Sequence, residues 1–186
     1  GTPDRTGGIT VTGSTRELAG WLTAMIVGGV GGTAIAADLG ARKTREELDA
    51  MSVLGVDIVV TLVAPRMLAL VVVTPLLYLI AIVVAVVSSM LATTLLYEPT
   101  PAAFTATMAA NFTTVDLIAG VVKAVLFGLI IGAVCCFKGI SASGGPEGVG
   151  RAVNQAVVIA FCLLWIFNYA FTSVLLANFP ELIELK

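Results

Sequence analysis

Lys123 sits about a third of the way into the otherwise apolar run VDLIAGVVKAVLFGLIIGAVCCF, and Asp116 precedes it by seven residues. On a helix that spacing puts both groups on one face, two turns apart. Arg16 and Glu17 are adjacent where the first apolar run begins, and Glu98 marks the end of the second. An ionisable group at depth in an apolar medium is costly, and by default it points to a binding or transport role. The competing reading is structural: Lys123 snorkels outward, or Asp116 or Glu17 neutralises it. Neither is preferred on the sequence. No carboxylate pair has an acid–base spacing. The chain has no histidine, which excludes histidine-dependent nucleophilic catalysis and histidine-containing zinc sites. Cys135, Cys136 and Cys162 all fall in apolar runs, and no CxxC pair exists, so neither a disulfide framework nor a metal site is suggested.

The second charged constellation is the segment ARKTREELDAM, which follows a glycine-studded apolar run. Thr44 and Glu47 have the spacing of a capping box, and Gly55 is a stop signal. A helix over 44–54 is expected, with Leu48, Met51 and Leu54 on one side and Arg45, Glu46 and Asp49 on the other. It is too short to span a membrane. Helices that lie on anionic lipid are rich in Lys and Arg. This one mixes both signs, which favours docking to a soluble protein over a lipid surface.

The elements that must position these groups are membrane helices. The 186 residues are 58% hydrophobic and 12% charged, with a mean hydropathy of +1.03. Soluble domains carry about 25% charged residues, so a polytopic all-α membrane protein is expected. Its net charge of −2 argues against nucleic acid as a partner. Spans are expected at about 17–39, 58–97, 115–137 and 149–177, after an irregular segment 1–15 and before a tail 179–186. No polar break interrupts 67–96, so 58–97 is one long helix containing Pro75. YEPTPAA is a turn, a short helix follows at about 101–110, and Thr113 with Asp116 caps the third span. The chain does not begin with Met, and a longer N-terminal region is expected to precede it.

In the first span Ala24, Gly28, Gly32, Ala36 and Gly40 recur every fourth residue. Such stripes let helices approach closely in lipid. A phosphate loop is disfavoured because GGVGGT lacks the GK[ST] ending. Lys and Arg populate the 40–57 and 138–151 loops and are missing from 97–114. The positive-inside rule therefore puts the 40–57 and 138–148 loops in the cytoplasm and the C-terminus outside.

The stretch RELAGWLTAMIVGGVGGTAIAADLGARKTREELDAMSVLGVD, then LVAPRMLAL, and later GGPEGVGRAVNQAVV resemble the MlaE/YrbE permease family of lipid ABC transporters. REELDAM is most similar to the MCE-associated YrbE branch. The resemblance covers about 16–177. It implies a five-helix inner-membrane permease preceded by an interfacial helix, and with four spans here the interfacial helix and the first span are expected to be missing from this chain. It implies a dimer with a second permease subunit, a cytoplasmic ATPase dimer carrying ATP and Mg, and extracytoplasmic MCE-domain proteins. This chain itself has no nucleotide-binding motif, and no cofactor of its own is expected. By position, 44–54 resembles the coupling helix, with Arg45, Glu46, Glu47, Asp49 and Met51 meeting the ATPase. Arg16, Glu17 and Lys123 would surround the lipid cavity, where a cation could hold an anionic headgroup or fatty carboxylate. Many family members carry an acid where this chain has Asn168. The rival reading is a structural anchor that joins partners without forming a pathway. A membrane enzyme or ion channel is disfavoured, because no catalytic set or polar helix face is evident.

Overall fold

The computed structural model describes Gly8, residues 10–97 and residues 101–179. Glu98 and the tail beyond Phe179 lie outside the described residues. The protein is an all-α polytopic membrane protein, and among the described residues there is no strand. Helix α1 is a continuous succession of Val11–Leu18, Ala19–Val27, Gly28–Gly32 and Thr33–Thr44, of which the first and third stretches have wide π turns. Helix α2 is Glu47–Val53. Helix α3 joins a π stretch, Val59–Val63, to Ala64–Tyr97. Helices α4, α5 and α6 are Pro101–Asn111, Thr114–Ile140 and Gly145–Asn178. Among the described residues, four segments are long and apolar enough to cross a bilayer: Arg16–Thr44, Val59–Leu95, Thr114–Ile140 and Gly145–Asn178. They correspond one for one to the four expected spans. Pro75 lies inside α3, as the sequence implied.

Two local expectations change. Residues 11–15 belong to α1 and are not irregular. Gly13 and the small polar residues around it are weak helix formers, yet the helix extends through them as a π stretch that runs on into the first apolar span. Thr44 and Glu47 do not form a capping box. Thr44 closes α1, and its hydroxyl donates to the Ala41 carbonyl at 3.0 Å. The chain instead reverses at Glu46, which adopts φ 61° and precedes α2 without a side-chain cap. Helix α2 is therefore shorter than 44–54. Leu48 alone of its expected apolar side is buried, Met51 is half-buried and Leu54 is exposed. Gly55, at φ 77°, ends the segment in the left-handed conformation that favours glycine.

The chain divides into two compact units, and each long helix contributes a stretch to both. The unit formed by 24–75 and 124–167 has a core of Ala24, Val27, Leu70, Phe127, Ile131 and Cys135, joined by residues of α6. All five small residues of the α1 stripe are buried in it. A Cβ on Gly28 would meet Phe161 at 3.3 Å, and one on Gly32 would meet Cys135 Sγ at 2.7 Å. Helix α6 buries a matching row, Gly148, Ala152, Ala156, Ala160 and Leu164. Helix α5 packs two ways here. Ile131 and Cys135 lie against α1, whereas a Cβ on Gly128 would strike the Leu70 carbonyl oxygen of α3 at 2.6 Å.

Gly139 makes the tightest approach to α1: a Cβ there would fall 2.7 Å from Leu39 Cβ and 3.0 Å from Ala36 O. Neither atom can swing aside, so the helices must separate. Gly139→Ala is expected to cost about 1–3 kcal/mol, read as a lower thermal unfolding midpoint in detergent.

The unit formed by 1–23, 76–123 and 168–186 is built around Tyr78 and Phe104, each 1% exposed. Gly20 of α1 and Gly120 of α5 both receive the Tyr78 side chain, and a Cβ on Gly120 would overlap its hydroxyl. Thr10 and Ser89 hydroxyls hydrogen-bond at 2.6 Å, fixing the start of α1 to α3 within this unit.

Candidate functional site

Within that second unit, three helix stretches converge on a cavity of about 220 Å³. Helix α1 supplies Arg16 and Glu17, α5 supplies Asp116, Ala119, Gly120 and Lys123, and α6 supplies Phe171, Thr172, Leu175 and Leu176. The sequence spacing explains the convergence. Positions 116, 119, 120 and 123 follow the i, i+3, i+4, i+7 rhythm of one helix face, as do 168, 171, 172 and 175 on α6. Thr113 and Asp116 start α5 as a reciprocal cap: Asp116 Oδ2 accepts from the Thr113 amide at 3.1 Å and hydroxyl at 2.7 Å. The Asp116 amide donates back to the Thr113 hydroxyl at 3.4 Å. Asp116 is thus fixed both as a cap and as a wall of the cavity.

The charges pair across helices. Arg16 grips Asp116 through Nε at 2.7 Å and a second nitrogen at 3.3 Å, with the Asp116 side chain 1% exposed. Lys123, 3% exposed, does not pair with Asp116 on its own face. Its ammonium donates to Glu17 at 3.4 Å, to the Arg16 carbonyl at 3.3 Å and to the Thr172 hydroxyl at 3.1 Å. It also lies 5.9 Å from the Phe171 ring centre, within cation–π range. Thr172 in turn donates to Glu17 at 2.7 Å, and Asn168 Nδ2 donates to the same carboxylate at 2.8 Å. Asn168 Oδ1 is buried without a hydrogen-bond partner. The result is a polar, internally compensated floor under apolar walls. Arg16, Glu17 and Lys123, which the sequence grouped, all line this cavity. Thr172 and Phe171 share the lining; they have no unusual type and stand out in the sequence only by their helix-face spacing relative to Asn168.

The second candidate set belongs to the other compact unit. Arg45, Glu46 and Asp49 are exposed, and Glu47 is partly so. Lys43 pairs with Asp49 at 2.7 Å, and Arg45 with Glu47 at 2.9 Å. Asp38 receives Arg42 at 3.3 Å and Arg66 of α3 at 2.5 Å. Exposed pairs of this kind add at most about 1 kcal/mol each. What they do is hold α2 against the end of α1, with both charge signs facing outward.

Residues 1–174 match the family described as Permease MlaE. The chain belongs to the MlaE permease family. It is 35% identical over 167 residues to a probable ABC transporter permease protein of Rickettsia typhi, covering 90% of this chain and 64% of the relative. It is 34% identical to a probable ABC transporter permease protein of Synechocystis, covering 88% of this chain and 62% of the relative. It is also 30% identical to the Arabidopsis thaliana chloroplast protein TRIGALACTOSYLDIACYLGLYCEROL 1, covering 90% of this chain and 48% of the relative. The chain thus spans less than two thirds of the length of these MlaE relatives.

Proposed function

We propose that this MlaE-family chain is the membrane-spanning permease subunit of an ABC transporter that carries lipid. A separate ATPase dimer, holding ATP and Mg, supplies the energy. The carrying observation is the Arg16–Lys123 cavity: apolar walls suit an acyl chain, and the compensated polar floor suits a headgroup. At about 220 Å³ it is smaller than common ligand pockets, so it accommodates a headgroup and not a whole lipid. The bacterial relatives' permease names support the transporter class, and the plant relative's name contains that of a lipid. In this reading α2 is the coupling helix on the cytoplasmic side of the inner membrane, and a second permease subunit completes the pathway. MCE-domain proteins receive or deliver lipid outside, a partnership that rests on the REELDAM resemblance.

The test is ATP-driven lipid transfer by the full-length permease reconstituted with its ATPase. Lys123→Met keeps the unbranched apolar stem, one atom shorter, and removes its charge. It is expected to slow transfer roughly tenfold, the equivalent of one charge-assisted contact, while the ATPase still co-purifies. Wild-type transfer by the variant would make Lys123 a purely structural residue. Failure of the unmodified complex to move lipid would leave the anchor reading.

A further inference from the structure

We propose that the Arg16–Lys123 cavity selects a lipid headgroup of zero net charge, an inference that rests on the lipid reading of that cavity. Its lining contains two cations and two carboxylates, Arg16, Lys123, Glu17 and Asp116. Each cation lies within hydrogen-bonding reach of one carboxylate, at 2.7 Å for Arg16–Asp116 and 3.4 Å for Lys123–Glu17. Asp116 is saturated, with Arg16 and Thr113 taking both oxygens. Glu17 is engaged by Lys123, Thr172 and Asn168. Lys123 is therefore not a bare cation awaiting an anion, as the sequence allowed.

An anionic headgroup entering this space gives up its hydration and meets a floor whose net field is small. To pair with Lys123 it must displace Glu17, leaving a half-buried carboxylate without its cation. A hydroxyl-bearing or zwitterionic headgroup avoids that exchange. It can hydrogen-bond to the edges of the existing pairs while its chain contacts Leu175 and Leu176. Selectivity then comes from charge balance, with Glu17 as the residue that sets it.

The experiment compares two probes that differ only by a phosphate: monooleoylglycerol and monooleoylglycerol phosphate. Both are offered in equal amounts to the full-length permease in nanodiscs, and retained lipid is counted by mass spectrometry. The wild-type protein is expected to retain the neutral probe at least about tenfold better, a difference of about 1.4 kcal/mol. Glu17→Gln leaves Lys123 uncompensated and should narrow or invert the ratio. Equal or better retention of the phosphorylated probe by wild type overturns the proposal. So does a ratio that Glu17→Gln leaves unchanged, since that would mean size and not charge excludes the phosphate. Retention of neither probe would overturn the lipid reading itself and this inference with it.

Discussion

Replacing both Glu46 and Glu47 by lysine is expected to abolish co-purification of the ATPase, and with it all ATP-driven transfer, while membrane insertion is unchanged. The two positions act differently. Glu46 is exposed at the reversal between α1 and α2, so its charge is available to a partner. Glu47 begins α2 and receives Arg45 at 2.9 Å and Arg42 at 3.8 Å. A lysine there faces two arginines and the positive end of the helix dipole, which turns a mixed surface into a basic one. Like charges brought together across a docked interface cost several kcal/mol, equivalent to a loss of more than a hundredfold in affinity. Glu47→Gln is the control, since it removes the same internal pairs without reversing charge. It should weaken α2 by only about 1 kcal/mol and keep the ATPase bound. Retention of the ATPase by the double lysine variant would end the coupling-helix reading, and loss in the glutamine control would assign the effect to the fold of α2.

The sequence was legible where physics leaves one solution. An apolar run long enough to cross a bilayer must be a helix, so the four spans and the unbroken passage through Pro75 could be read directly. The α1 glycine stripe was visible because small residues at every fourth position have one geometric meaning. Its counterpart on α6, Gly148 to Leu164, was obscured by the large apolar residues interspersed with it. The partner choices of buried charges were not legible. Helical spacing put Asp116 and Lys123 on one face, but pairing is decided across helices, and there Asp116 met Arg16 while Lys123 met Glu17. Capping was ambiguous for a similar reason. The Thr-x-x-acid pattern occurs at both 44–47 and 113–116. Only Thr113 lies outside a helix, whereas Thr44 is consumed by the end of α1.

That difference makes Asp116 the residue on which the Arg16–Lys123 cluster most depends, and Asp116→Asn is expected to cost about 3–5 kcal/mol, the range for breaking a buried ion pair from one side. An asparagine fits the space but has a single acceptor. The four groups now aimed at Asp116 are all donors: two nitrogens of Arg16, and the amide and hydroxyl of Thr113. The new NH2 must therefore oppose a donor, Arg16 loses its carboxylate, and the cap of α5 weakens. In a chain of this size the thermal midpoint in detergent should fall by roughly 10 °C. Arg16→Met combined with Asp116→Asn removes both charges and should be less than additive, with a coupling energy of about 1–3 kcal/mol. Full additivity would mean that the 2.7 Å contact contributes no coupling. The two parts of the ion-pair network can then be separated by what each variant changes. Losing Asp116 lowers stability and leaves an excess positive charge in the cavity. Losing Glu17, whose side chain is partly exposed where that of Asp116 is buried, should alter lipid preference with a smaller effect on the fold.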